Sequence, residues 1–312
     1  MGTILDRRLL IGSGLMALGA CATGASLSGS ITTVILDVWP GDPPGSAGVT
    51  AREEIIERST DPAVRDRAIL HVRKPTLKVF RPPRPDGSAV LICPGGGYQR
   101  VVLDKEGDET AMRLARAGVT AAVLVYRLPG DGWAGGYDAP LQDAQRAMRL
   151  LRAGRTAPNI DPKRIGVLGF SAGGHLAANL ALRSDQKSYD AVDAADAQPA
   201  RPDFAALIYA AYLDGVLPAG LGVVTGLTPD LIAMAAKGAQ PVFLLHAADD
   251  ATVPVENSIR MYQALKAAGV PAELHVFPEG GHGFGIARAA GKPVEVWPDL
   301  FLRWGRAREM FR

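Results

Sequence analysis

From residue 89 onward the chain alternates short apolar runs with amphipathic stretches, and this rhythm constrains the fold more than any other feature. Residues 90–93, 120–126, 164–170, 204–210, 241–246 and 273–277 read as strands. Residues 106–117, 141–153, 172–182 and 255–268 have helical spacing, with Gly118 and Gly269 as stops, and residues 293–308 close the chain as a helix. Apolar strands separated by helices predict an α/β fold, a mostly parallel central sheet covered by helices on both faces. Upstream, residues 33–39, 68–73 and 76–80 are strand-like with no helix between them, which predicts antiparallel N-terminal strands. Residues 184–202 are polar and rich in Ala and Asp, and a surface loop is expected there.

In such a sheet, ligands bind beyond the carboxyl ends of the strands. Four loops at these ends carry chemistry. Gly169-Phe170-Ser171-Ala172-Gly173 follows the run Ile165-Gly166-Val167-Leu168 and opens a helix. It fits the G-x-S-x-G elbow, in which a sharp strand-to-helix turn exposes the serine Oγ and glycines allow the backbones to approach. Pro94-Gly95-Gly96-Gly97-Tyr98 is a glycine loop whose N–H groups suit a developing oxyanion. Gly96, Gly97 and Ala172 are its expected donors. No Gly-Lys-Ser or Gly-Lys-Thr occurs, so a phosphate loop is not indicated. His246-Ala247-Ala248-Asp249-Asp250 offers two adjacent acids able to orient a histidine, and Gly280-Gly281-His282-Gly283 supplies that histidine. The order Ser171, Asp250, His282 is that of the α/β-hydrolases. His175 and His246 read as packing and hydrogen-bonded structural residues, and His71 and His275 as strand residues. No histidine pair has metal-ligand spacing, so neither a metal nor a cofactor is expected.

The N-terminus reads as a signal peptide and tether over residues 1–30, ahead of a single domain over residues 31–312. Arg7 and Arg8 precede an uncharged stretch over residues 9–20, too short for a membrane span. Leu18-Gly19-Ala20-Cys21 resembles a bacterial lipobox, which makes Cys21 the expected lipidation site. Export to the periplasm, or lipid anchoring in the bacterial cell envelope, follows as the expectation. Cys21 and Cys93 are the two cysteines of the 312-residue chain, too few for a disulfide scaffold or a Cys-rich zinc site. With 34 basic against 32 acidic residues and no basic stripe, nucleic acid is not an expected partner.

Cys93-Pro94-Gly95-Gly96-Gly97-Tyr98, Glu106-Gly107, Tyr126-Arg127-Leu128-Pro129, the run from Pro140 to Ala147, the elbow with His175, and the run from Asp249 to Ser258 resemble bacterial carbohydrate esterases of the acetylxylan and feruloyl esterase type. Trp39-Pro40-Gly41 and Pro75-Thr76-Leu77 match the start of the same family. The resemblance implies the α/β-hydrolase fold and a serine esterase that removes short acyl groups, acetyl above all, from xylan-derived or other carbohydrates. It also favours Asp250 over Asp249 as the acid. Pro94 departs from the family's common HGG loop, although the three glycines remain. Tyr98, Trp133 and Tyr137 are expected to bind substrate, since aromatic faces with polar tips suit sugar rings. Residues 213–238, rich in Gly and Ala, are a candidate lid or pocket wall. Rival readings are a serine peptidase, a lipase, a glycoside hydrolase and an inactive binding module. Intact Ser171, Asp250 and His282 disfavour the last, and the absence of an evident carboxylate pair disfavours the glycosidase.

Overall fold

The computed structural model describes residues 29–215, 230–235 and 239–312. The expected signal peptide with Cys21 lies outside the described residues, as does most of the 213–238 segment. The first strands are β1 (Thr32–Asp37), β2 (Glu54–Glu57), β3 (Arg67–Leu70), β4 (Thr76–Arg81), β5 (Ala89–Cys93) and β6 (Val101–Val102). Helix α1 (Glu109–Arg116), β7 (Thr120–Val125), α2 (Asp138–Arg152), β8 (Ile165–Phe170), α3 (Ala172–Arg183) and β9 (Ala205–Ile208) come next. After them come α4 (Leu231–Ala235), β10 (Val242–Ala247), α5 (Glu256–Ala267), β11 (Ala272–Phe277) and α6 (Trp297–Arg306).

Eight strands form the main sheet in the order β1-β4-β7-β5-β8-β9-β10-β11. β1 and β4 pair antiparallel, as do β4 and β7, and every pair from β7 to β11 is parallel. The central strands are apolar at successive positions because both faces are covered. In β5, Leu91 and Cys93 pack in the cluster that includes α2, α3 and α5 residues, whereas Val90 and Ile92 pack in the cluster that includes α1 and α6 residues.

The N-terminal strands pair antiparallel as expected, but in two separate sheets. β3 does not join the main sheet; it pairs antiparallel with β2 and β6 in a separate three-stranded sheet. The run over residues 68–73 stops at Leu70 because His71 takes a left-handed backbone (φ 53), and its Nδ1 lies 2.7 Å from Asp131 Oδ1. His71 is therefore a turn residue. The partners β2 and β6, four and two residues long, are too short to show a strand pattern in the sequence.

Two further features bear on the site. Helix α1 begins at Glu109, because Asp104–Asp108 form a π-helical turn with Asp108 N–H donating to Leu103 O at 2.8 Å. Asp104 anchors this turn by accepting from Arg67 Nη2 (2.6 Å), Nε (3.0 Å) and backbone N–H (2.6 Å). Residues 184–202 are the expected surface loop, broken by a 3-10 turn over Ala194–Ala197 and anchored at a few points. Its Asp193 and Asp196 pair with the buried Arg146 at 2.5 and 3.0 Å, and Tyr189 packs edge-on against Trp39. Beneath the same region Arg127 and Asp143 form a fully buried ion pair at 2.9 Å, with Trp39 Nε1 donating to Asp143 at 2.7 Å. No helix among the described residues is long and apolar enough to cross a membrane.

Candidate active site

The loops after β5, β8, β10 and β11 meet at one edge of the sheet. Ser171 sits between β8 and α3 with φ 52 and ψ −121, a conformation that L-residues rarely adopt. Its backbone is held from three sides. Ser171 N–H donates to Ile208 O at 3.1 Å, and Ser171 O accepts from His175 N–H and Ala211 N–H, each at 3.1 Å. The turn requires glycine at its flanks. A Cβ on Gly173 would stand 2.1 Å from Cys93 O, and one on Gly169 would stand 2.1 Å from Gly173 O.

His282 Nε2 lies 2.9 Å from Ser171 Oγ, and His282 Nδ1 lies 2.7 Å from Asp250 Oδ2. Asp250 Oδ1 accepts from the N–H groups of Thr252 and Val253, both at 2.9 Å. His246 Nε2 is 3.2 Å from Asp250 Oδ2, and its Nδ1 is 2.8 Å from Ser258 Oγ. Burial alone would raise the Asp250 pKa. The hydrogen bonds from His246 and His282, the charge of His282 and the Val253 N–H outweigh it and hold the carboxyl well below the usual range. Asp249 has a different task. It is exposed, and it accepts from Gly281 N–H at 2.8 Å, tying down the loop that carries His282. The two acids left open by spacing alone are thus separated by geometry.

The glycine loop after β5 is braced from below. Gly95 N–H donates to Glu106 Oε2 at 2.7 Å, and Tyr126 OH donates to Pro94 O at 2.7 Å. Gly96 adopts φ 134 and turns the chain so that its carbonyl accepts from Gln99 N–H at 3.1 Å. The N–H groups of Gly96, Gly97 and Ala172 have no acceptor among the described residues. Tyr98, expected to bind substrate, is turned toward His175 on α3. It is buried, and its OH lies 2.8 Å from His175 Nδ1.

His175 carries a pH-dependent load because it is buried. Burial, then the charge of Arg183, lowers its pKa to about 3. An unfolded histidine titrates near pH 6.5, so the neutral buried ring contributes its full stability above that pH and loses it as pH falls toward 3. Between pH 7 and pH 5 this one group is expected to cost about 2 kcal/mol of folding stability. Urea unfolding of wild type and His175→Gln at both pH values measures it. The variant should lose that much less on acidification, and equal losses would refute the assignment.

A cleft of about 310 Å³ opens beside Ser171 and His282. Its walls include Gly96, Gly97, Gln99, Val102, Tyr212 and Thr252. Neither Trp133 nor Tyr137 lines it. Trp133 is buried with Val49 and Ala139, and its ring receives the guanidinium of Arg127 at 5.0 Å. Tyr137 is half-buried and packs against the core beside α2. Their aromatic character serves packing, which is why the expected sugar platform is absent from the cleft.

Two supporting residues had no assigned role in the sequence reading. Glu106 is buried and accepts from both Gly95 N–H and Tyr209 OH, the latter at 3.0 Å. Tyr209 OH also accepts from Gly285 N–H at 3.2 Å, and its ring stands 5.1 Å from that of His282. Together they join the glycine loop to the histidine loop. Glu106-Gly107 was visible as a motif, whereas Tyr209 carries no sequence signal.

The profile of the Dienelactone hydrolase family matches residues 137–295, just over half of the chain. The chain belongs to the dienelactone hydrolase family. The match takes in the elbow, both acids and His282. A crystal structure of an acetyl ester-xyloside bifunctional hydrolase from Caldicellulosiruptor lactoaceticus superposes with a TM-score of 0.68 at 30% identity, covering 89% of this chain and 97% of that one. The mostly parallel sheet and this superposition establish the α/β-hydrolase fold expected from the sequence. An acetylxylan esterase of Xylanibacter ruminicola is 30% identical over 228 residues, 68% of this chain and 44% of that protein. An endo-1,4-beta-xylanase B of Butyrivibrio fibrisolvens is 32% identical over 208 residues, 64% of this chain and 32% of that protein. The chain therefore spans less than half the length of these two curated relatives.

Proposed function

We propose that this protein is a serine carboxylic ester hydrolase that removes short acyl groups, acetyl foremost, from acylated carbohydrates. The observation that carries the reading is the continuous relay from Asp250 through His282 to Ser171 Oγ, with contacts of 2.7 and 2.9 Å, beside the cleft. His282 takes the Ser171 proton as Oγ attacks the ester carbonyl. Asp250 keeps Nδ1 protonated and stabilises the imidazolium. The N–H groups of Gly96, Gly97 and Ala172 receive the oxyanion; Ala172 adds the dipole of α3. His282 returns its proton to the departing alcohol. Water then deacylates Ser171 by the same relay.

The cleft supports a short acyl group. Its volume is small, and among the described residues polar or charged side chains make up most of its wall, with Val102 and Val253 as the aliphatic ones. A long alkyl chain would find no continuous aliphatic wall among these residues. The relatives named for acetylxylan and acetyl ester chemistry support the same choice. The xylanase name of one relative finds less support here. A glycosidase needs two carboxyl groups flanking the bond, and Glu106 is the one carboxylate in the described cleft wall. Initial rates on 4-nitrophenyl acetate and octanoate, with acetate release from acetylated xylo-oligosaccharides, test the proposal. The acetyl ester should be preferred by at least about tenfold in kcat/KM. Preference for octanoate with no acetate released would overturn it.

We also propose that the chain is exported and lipidated at Cys21, on the strength of Arg7-Arg8, the apolar stretch after them and Leu18-Gly19-Ala20-Cys21. Labelled palmitate should enter the wild type and not Cys21→Ser. An unlabelled wild-type protein would overturn the anchor.

A further inference from the structure

The cleft is cationic for a reason that hydrolysis of a neutral acetyl sugar does not require. Arg58, Arg100, Lys105 and Arg288 all contribute to its wall. Two carboxylates stand against these four cations. Asp66 takes Arg288 at 2.7 Å and Arg58 at 3.5 Å. Glu106 is engaged with Gly95 N–H and Tyr209 OH. Arg100 and Lys105 have no such partner among the described residues.

Lys105 is the most constrained of the four. It lies on the π-helical turn, is 7% exposed, and still lines the cleft. Its Nζ makes no hydrogen bond and no ion pair among the described residues. The adjacent acid on the same turn, Asp104, is spent on Arg67. The Lys105 Nζ lies against the histidine loop, since a Cβ on Gly283, next to His282, would stand 3.4 Å from it, and the same cleft is lined by Ser171 and His282. Burial depresses the Lys105 pKa, opposed by the attraction of Glu106 and Asp66 and assisted by the charges of Arg288 and Arg58. A buried ammonium without a partner is costly, and an incoming anion would offset that cost. The side chain of Arg100 likewise donates to no acceptor among the described residues and is half-buried on the same wall.

We propose that Lys105 and Arg100 form a carboxylate-recognition subsite, so that the preferred ester is anionic, with a carboxylate a few bonds from the scissile carbonyl. The inference rests on the esterase reading above. A carboxylate can reach the site from the alcohol side, as in an acetylated uronate, or from the acyl side, as in the half-ester of a dicarboxylic acid. Two matched pairs separate these sources. The alcohol-side pair is acetylated methyl glucuronoside against acetylated methyl glucoside. The acyl-side pair is the 4-nitrophenyl half-ester of succinic acid against 4-nitrophenyl butyrate.

The wild type should favour the anionic member of at least one pair by roughly tenfold to hundredfold in kcat/KM, the range of one charge-assisted hydrogen bond. That ratio should collapse in Lys105→Met and in Arg100→Gln. Reading a ratio cancels any general loss of activity in the variants, and it separates carboxylate recognition from oxyanion stabilisation, which would move both members together. Two variants guard against one that fails to fold. No anionic preference in either pair, or a preference unchanged in both variants, would overturn the subsite. Failure of the wild type on every ester would instead remove the esterase reading itself.

Discussion

Ser171→Ala is expected to lower ester turnover by about 10⁶-fold, the scale found when a triad serine is removed. What remains is catalysis by the oxyanion donors and substrate binding. The fold should survive, because the contacts that hold residue 171 in its left-handed turn are made by its backbone, to Ile208 O and from the N–H groups of His175 and Ala211. Alanine keeps all three and carries the same Cβ at φ 52. Turnover and thermal unfolding measured on the same preparation check both halves. A folded Ser171→Ala protein with near wild-type turnover would refute the nucleophile assignment.

Asp250→Asn should cost about 10⁴-fold in turnover, the loss seen for the corresponding Asp→Asn change in the worked serine-protease case. The geometry indicates why so conservative a change is severe. Oδ1 accepts two backbone N–H groups, so the amide oxygen of asparagine must take that position. The amide NH₂ then occupies the place of Oδ2, 2.7 Å from His282 Nδ1. Two donors face each other, and the ring is driven to the tautomer that cannot accept the Ser171 proton. Asp249→Asn should cost less than about tenfold, since an amide oxygen can still accept from Gly281 N–H. Turnover of the two single variants decides between the acids, and the reverse order of severity would exchange their roles.

Much of the site was legible because its chemistry is local in sequence. The G-x-S-x-G turn needs glycine where backbone meets backbone, and Gly169 and Gly173 are found there. Each of the loops bearing Asp250 and His282 follows an apolar strand, and parallel strands deliver such loops to one edge. The rest was illegible because it depends on partners far apart in the chain. Asp249 and Asp250 differ in which of them meets His282, 32 residues away from Asp250. Trp133 and Tyr137 had the composition of a sugar platform, but composition cannot distinguish an aromatic ring packed on Arg127 from one facing a ligand.

The early strands make the same point. Three β-like runs without helices led to antiparallel pairing, and β1 with β4 follows it. The assignment of β3 to another sheet depends on His71 turning the chain and on the two-residue β6, neither of which has a strong local signature.

By itself the sequence determined the periodicity of the layers, the glycine turns and the chain order of Ser171, Asp250 and His282, since each is set by backbone sterics or by hydrophobic alternation within a few residues. Only the tertiary structure decided the charge of the cleft. Arg58, Arg100, Lys105 and Arg288 are scattered over 230 positions in a chain whose net charge is merely +2. Asp66 and Asp104 neutralise some of the local cations, and Lys105, which the π-helical turn buries beside Gly283, is left without a partner among the described residues. Charge pairing is a property of distance in space, and distance in space is what a linear chain does not carry.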